Sequence, residues 1–188
     1  SSSLVPYSNV PFSKNAFPND IQSKLDSLSV GVVKGPYYNA YDNTQNILKL
    51  VSVAELPDSV EYRAINCANT SLDAAKATAD SVIKAINAGA KFEDVAKKYN
   101  QPAQTVWLTA NQYEGQSIDA DNANFINTIT TSAVNSLKKI ELAQNVVVVQ
   151  ITKRQAMKKK YNLAVINRAV DFSKDPYTKE YNKFSHFI

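Results

Sequence analysis

The stretch DSVIKAINAGAKFEDVAKKYN, residues 80–100, decides the fold because it predicts two helices joined at a glycine. The first helix begins at a Thr70 or Ser71 cap, repeats apolar residues at helical spacing, and ends at Gly89. The second helix stops near Pro102. Its apolar face consists of Phe92, Val95, Ala96 and Tyr99. Two helices of this kind need a sheet or further helices to bury their apolar faces.

Alternating segments on both sides of this helix pair predict strands. VEYRAINCA, residues 60–68, alternates with a period of two, as a strand with two different faces does. One face carries Val60, Tyr62, Ala64 and Asn66, and the other carries Glu61, Arg63, Ile65 and Cys67. After the helix pair, the sequence predicts a short strand around Trp107, a helix over 122–134, and the strands KKIEL (138–142), NVVVVQITKR (145–154) and KYNLAVINRAV (160–170).

The chain before this region predicts a helix and a strand pair. Residues 1–18 are rich in proline and serine, which favours an extended lead-in. A helix follows with Asn19 or Asp20 as its cap, and VVKGPYYNAYDNTQNILKLVSV (32–53) predicts two strands that turn at Gly35–Pro36. The tail, residues 171–188, predicts the start of another helix.

These elements predict an α+β fold with a small antiparallel sheet and about four helices. We divide the chain into an N-terminal appendage (1–57), a central domain (58–153), and an extra strand with the start of a C-terminal helix (154–188). Residues 19–65 and 122–166 show the same order of elements, with a period of roughly one hundred residues, which is consistent with a half-repeat. The NILKLV and KYNLAVI strands either extend the central sheet or form a second small one.

Composition disfavours a nucleic-acid partner. The net charge is +4, and 44% of the residues are hydrophobic, enough for a core. The lysines are scattered except for MKKKY (157–161), which we interpret as a solvated strand start. Arginine, the usual reader of bases, appears only at Arg63, Arg154 and Arg168.

Cysteine content and apolar runs limit the compartment and the membrane role. The single cysteine, Cys67, excludes an internal disulfide and a thiolate metal cage, so a reducing compartment and a disulfide-free periplasmic protein both remain open. The longest apolar runs, such as 146–149, are far shorter than the ~20 residues of a membrane helix. The chain opens on SSSLVPYS without a start methionine, so we expect a piece of a longer protein, with any membrane anchor outside it.

Residues that could carry other chemistry are explained more simply by structure. His186, the only histidine, lies in the tail without a sequence partner, and Cys67 has no histidine near it in sequence. Asp119 and Asp121 have the spacing of a calcium loop, but the glycine and the final glutamate of that loop are missing, so we predict a loop and a helix cap. We predict no metal and no cofactor.

Three segments resemble a parvulin-type peptidyl-prolyl cis-trans isomerase domain over residues 58–153. They are PDSVEYRAI (57–65), the glycine-joined helix pair (80–100) and VVVVQITKR (146–154). The flanks GPYYNAY (35–41) and KYNLAVINRAVDFSKDPYTKEYNKFS (160–185) resemble the PpiD and SurA group of periplasmic folding factors as found in the Bacteroidetes.

The resemblance implies an active site whose polar residues are missing here. Parvulins place a histidine on the entry strand, another on the last strand, and an acid or thiol after the second helix. The corresponding positions here are Ala64, Val147 and the Asn100–Gln104 turn. The possible remnants of the apolar proline pocket, which we predict to bind peptide, are Trp107, Leu108, Tyr113 and Phe125.

We therefore expect a non-catalytic module of a periplasmic folding chaperone that binds unfolded polypeptides, including nascent outer-membrane and secreted proteins. The residues expected to hold such clients as exposed aromatics are Tyr37, Tyr38, Tyr41, Trp107 and Tyr113. Two alternatives remain open, an isomerase that works through the apolar pocket alone, and a spacer or dimerisation domain. Homo-oligomerisation is also left open.

Overall fold

The computed structural model describes residues 7–170, which form four α-helices and one six-stranded sheet. The helices are α1 (Asn19–Leu25), α2 (Leu72–Asn87), α3 (Phe92–Lys98) and α4 (Ala120–Thr131). The strands are β1 (Phe12–Ser13), β2 (Val33–Asn39), β3 (Thr44–Asn66), β4 (Val106–Thr109), β5 (Leu137–Glu141) and β6 (Val146–Ala169). Every pairing is antiparallel, so the predicted α+β fold is confirmed. The predicted tail helix lies outside the described residues.

Two long strands, β3 and β6, form the centre of the sheet. They pair from Thr44 opposite Ala169 to Asn66 opposite Val147. The NILKLV and VEYRAI segments are therefore parts of one strand, and the KYNLAVI strand likewise continues the VVVVQI strand, which extends one sheet. Pro57 is tolerated inside β3 because only β6 pairs with the strand at that position. Both strands run through the boundaries predicted at 57/58 and 153/154.

The same order of elements occurs twice along the chain. A helix, a short strand and a long strand follow one another as α1, β2, β3 and again as α4, β5, β6. β2 pairs with the first part of β3, and β5 pairs with the first part of β6. The strand register agrees with the period of roughly one hundred residues. Leu50 pairs with Leu163, and the positions about one period away from these two, Gln150 and Arg63, also pair with each other.

The helices cover the sheet through separate apolar clusters. The α2 and α3 helices bury the cluster around Ile65, Cys67 and Val148. The α1 helix packs its Ile21 and Leu25 on Leu48, Leu50, Tyr161 and Leu163. Cluster burial of this kind is what holds short helices in place, because isolated helices of this length are marginal in water. No helix within residues 7–170 is long and apolar enough to cross a membrane.

The predicted turn at Gly35–Pro36 was wrong. The cis Gly35–Pro36 bond lies inside β2, where the register with β3 shifts, and the chain reverses at residues 40–43. Gly35 has a φ of 121°, and a Cβ there would stand 2.7 Å from the carbonyl oxygen of Asn46. Asn43, at a φ of 55°, supplies the left-handed position of the real turn.

Three smaller expectations also need correction. The N-cap of α1 is Pro18 rather than Asn19 or Asp20. The MKKKY segment lies within β6 instead of starting a strand, and its Lys160 is fully buried rather than solvated. Tyr113, expected as an exposed aromatic, is only 7% exposed. Contacts between residues far apart in sequence bury both Lys160 and Tyr113.

Candidate functional site

The positions predicted to correspond to the parvulin histidines, Ala64 and Val147, lie on one face of the central strand pair. Alternation along β3 places Val60, Tyr62 and Ala64 on that face, as predicted. Ala64 pairs with Val149, and Val147 pairs with the next β3 residue of the same face, Asn66. Ala64 and Val147 are therefore diagonal neighbours across the strand pair.

This face is closed by an apolar cluster, which we name the α4-side cluster. Its buried members are Val60, Ile129, Ile140, Val149 and Ile151. Tyr62, Ala64, Leu108, Phe125, Leu142 and Val147 are partly buried and pack against them. The Tyr62 and Phe125 rings meet edge to face with their centroids 5.4 Å apart, a favourable aromatic geometry.

The four predicted peptide-binding residues occupy different places. Leu108 and Phe125 join Ala64 and Val147 in the α4-side cluster. Trp107 pairs with Glu61, whose side chain points to the opposite face of β3, and it is 38% exposed. Tyr113 is buried in a separate cluster with Val10, Ala110, Ala123 and Ile126.

The electrostatics of the α4-side cluster offer little acid-base chemistry. Tyr62 is its one titratable member, and burial raises the pKa of its hydroxyl. The only histidine of the chain, His186, lies outside the described residues. No group of this cluster therefore changes its charge near neutral pH.

The turn after α3 contacts the end of β3 through an amide side chain. Gln101 Oε1 accepts a hydrogen bond from the backbone N–H of Asn66 at 2.7 Å, and Gln101 Nε2 donates to the carbonyl of the same residue at 2.6 Å. The side chain thus pairs with the strand as another strand would. It is occupied by this structural role in the turn that the sequence analysis predicted to correspond to the parvulin acid or thiol.

The family model for the PPIC-type PPIase domain matches residues 45–155. The chain belongs to the PPIC-type peptidyl-prolyl isomerase family. No curated protein and no solved structure matches the chain. The matched range begins at residue 45, in the first part of β3, whereas the predicted domain begins at residue 58.

Cys67 lies on the opposite side of the sheet from Ala64, in the cluster covered by α2 and α3. It is 1% exposed, its Sγ donates to the carbonyl of Ile65 at 3.7 Å, and burial raises the pKa of its thiol. A thiol with a raised pKa is a poor nucleophile at neutral pH. Cys67 is therefore a core residue of the α2 and α3 side.

Arg63 also lies on that side, where polar contacts fix its guanidinium. Its Nε donates to Gln150 Oε1 at 2.9 Å, it forms an ion pair with Glu93, and it stacks 4.4 Å from the Phe92 ring centroid. The pKa of Glu93 is lowered by a hydrogen bond from its own backbone N–H and by Arg63. These contacts fasten α3 to the sheet.

A buried charged cluster, Lys160–Asp58–Glu114, was missed by the sequence analysis. Lys160 Nζ lies 2.8 Å from Glu114 Oε1 and 3.1 Å from Asp58 Oδ1, and the lysine side chain is 0% exposed. Burial alone would lower the pKa of Lys160, but the hydrogen bond with Glu114 and the nearby Tyr113 and Asp58 outweigh it and raise the pKa. The partners are far apart in sequence, so nothing in MKKKY itself distinguishes Lys160 as the buried lysine.

This cluster also anchors the N-terminal segment to the PPIC-type domain. The backbone N–H and the hydroxyl of Ser13 donate to Glu114 Oε1 at 2.9 and 3.0 Å. Because the pKa of Lys160 is raised, the amine stays protonated and serves as a structural cation rather than a nucleophile.

The two aspartates with calcium-loop spacing have structural roles. Asp119 is the N-cap of α4 and accepts from the backbone N–H of Asn122 at 2.8 Å, as predicted. Asp121 accepts from the backbone N–H of Ala143. Within the part of the chain that the structure describes, no three His, Cys, Asp or Glu side chains are grouped so as to hold a metal ion.

Proposed function

We propose that this chain is a non-catalytic parvulin-like module of a periplasmic protein-folding chaperone. Its partners would be unfolded or nascent outer-membrane and secreted polypeptides, and an anchor outside this chain would hold the protein at the inner membrane. Membership of the PPIC-type family supports the polypeptide partner.

The apolar face around Ala64 and Val147 is the observation that carries the proposal. Rotation about an X-Pro bond crosses a barrier of roughly 18–20 kcal/mol, and a catalyst must stabilise the twisted amide more than either planar form. Alanine and valine side chains have no donor, acceptor or charge with which to do so. Both pack in the α4-side cluster with Phe125. This supports a module that binds polypeptide without turnover.

Exposed aromatic side chains support the binding role. Tyr41 is 98% exposed, Tyr38 49% and Trp107 38%. Aromatic side chains have few rotatable bonds, so they give a large apolar contact at a low cost in conformational entropy. Tyr37 contributes less, because its hydroxyl donates to Asp20 and Lys24 lies 4.2 Å from its ring centroid.

Suppression of aggregation tests this function. Chemically denatured citrate synthase is diluted into buffer with increasing amounts of the chain, and light scattering is recorded. Because holding an apolar segment requires no turnover, suppression should need near-stoichiometric chain. A Tyr38→Ser/Tyr41→Ser double variant should suppress less, whereas the control Leu72→Ser/Val134→Ser, which removes two exposed apolar side chains elsewhere, should behave like the wild type if its fold is intact. Folded chain that leaves scattering unchanged would favour the spacer role instead.

A further inference from the structure

A groove of about 940 Å³ lies beside the PPIC-type domain. Its floor contains Leu163 and Val165 of β6, one wall is the N-terminal segment from Ser8 to Ile21, and the opposite wall is the turn from Asn39 to Asp42. Most of its lining residues lie outside the matched range 45–155. Its described lining shares no residue with the α4-side cluster, so the groove is separate from the face that carries Ala64 and Val147. Its volume is within the ~300–1,000 Å³ of typical ligand sites.

The floor of the groove changes from apolar to amide along the sheet. On one face of the β3–β6 pair, Leu50 lies opposite Leu163, Leu48 opposite Val165, and Asn46 opposite Asn167. An apolar pair at the position of Asn46 and Asn167 would have continued the core. Because burying polar groups is costly unless they are hydrogen-bonded, these two amides need partners.

The amide pair at the floor is held in place. Asn46 is 3% exposed, its Nδ2 donates to Thr44 Oγ1 at 2.9 Å, and its Oδ1 accepts from Asn167 Nδ2 at 2.7 Å. Carboxamides carry both donors and acceptors, as a peptide group does. Because these two amides bond to each other and to Thr44, they fix the polar end of the floor, and ligand contact falls to the aromatic walls.

The walls add aromatic surface and negative charge. Phe12, Phe17 and Tyr41 line the groove. Among the groove's described lining residues, Asp20 and Asp42 carry charge and none is a lysine or arginine, although the whole chain carries +4. The groove therefore favours a neutral or basic ligand over an acidic one.

We propose that this groove binds an extended segment of an unfolded polypeptide that is neutral or basic and carries aromatic or aliphatic side chains. The proposal rests on the function proposed above and names where the client lies. Specificity comes from the charge of Asp20 and Asp42 and from the aromatic walls.

Fluorescence anisotropy with the full 188-residue chain tests this assignment. The probes are two fluorescein-labelled dodecapeptides of the same aromatic and aliphatic composition, one with lysines and the other with glutamates at the same positions. We expect the lysine peptide to bind more tightly. Reversal of one rim charge in Asp42→Lys should weaken it about fivefold, equal to about 1 kcal/mol, and Ser117→Trp, which fills the groove from an exposed position, should weaken it further.

Matched variants outside the groove control for charge and bulk. Glu55→Lys makes the same kind of charge reversal on an exposed part of β3, and Ser81→Trp adds the same ring on the exposed side of α2. Both should bind the lysine peptide like the wild type. Circular dichroism and the unfolding midpoint confirm that each variant is folded.

The outcomes separate this proposal from the proposed function. If Asp42→Lys and Ser117→Trp bind the lysine peptide as the wild type does, or if the folded chain binds neither peptide yet still suppresses aggregation, the groove is not the client site. Loss of aggregation suppression as well would overturn the proposed function itself. Binding of maltoheptaose that Ser117→Trp abolishes, without peptide binding, would assign the groove to a carbohydrate and overturn the polypeptide proposal.

Discussion

Replacement of Lys160 by methionine should strongly destabilise the fold. The substitution keeps the length of the side chain but removes the one cation between Asp58 and Glu114, whose side chains are 20% and 9% exposed. Removal of one partner of a buried ion pair costs about 3–5 kcal/mol because the other charge stays buried. For a domain of this size, we expect the unfolding midpoint to fall by roughly 6–20 °C.

Thermal and urea unfolding, followed by circular dichroism, measure this loss. The neighbouring Lys159→Met is the matched control, because Lys159 is exposed and its substitution should change the free energy of unfolding by less than about 1 kcal/mol. Lys160→Met combined with Glu114→Gln should recover part of the loss by removing one unpaired charge. Equal stability of Lys160→Met and Lys159→Met would refute the idea that the buried cluster is important.

The same cluster gives an expected pH dependence. Burial alone would raise the pKa of Asp58, but its hydrogen bond with Lys158 and its ion pair with Lys160 outweigh burial and lower the pKa. A lowered folded pKa means that the Asp58 contribution is present above its ordinary pKa and is lost as the pH falls through the folded value. In Lys160→Met, Asp58 loses one of the two cations that lower its pKa, so its carboxylate becomes neutral at a less acidic pH. The loss of stability should therefore be smaller near pH 4 than at pH 7.

Two further substitutions test local geometry. Gly35→Ala should destabilise the fold by more than Gly31→Ala. Both glycines have a positive φ, but only at Gly35 would the new Cβ approach the Asn46 carbonyl. Urea unfolding midpoints compare the two variants, and equal losses would contradict the close approach. Gln101→Ala should lower the free energy of unfolding by about 1–3 kcal/mol, because two hydrogen bonds are lost. The backbone amide of Asn66 should also exchange its hydrogen faster, as measured by NMR. Unchanged exchange would show that the contact is not maintained in solution.

Local signals predicted some elements well and long-range partners decided the rest. The α2 and α3 helices follow from apolar spacing together with a Ser71 cap and a glycine stop, all within one stretch of sequence. The continuity of β3 and β6 did not follow, because Pro57 and the polar MKKK run resemble breaks. Pro57 is accommodated only because no second strand pairs there, which sequence cannot show.

The candidate site shows the same division. Ala64 and Val147 follow from the parvulin-like strand motifs, and the register places them as diagonal neighbours. Leu108 and Phe125 join them, but Trp107 and Tyr113 do not, since strand alternation and the Lys160 cluster place those rings elsewhere. The role of Gln101 had no sequence signal, because its partner is a backbone rather than a side chain.

The most direct test of the central claim is the rate at which this chain isomerises a proline-containing tetrapeptide, measured beside an active parvulin. With Ala64 and Val147 in the apolar α4-side cluster, desolvation is what remains to favour the twisted amide. Loss of one preorganised donor costs about 10²–10³ in rate in enzymes that depend on such groups. We expect the wild type and Ala64→His to stay at or near the uncatalysed rate, since Val147 still occupies the partner position. An efficiency within about tenfold of the active parvulin, well inside that loss, would contradict the account.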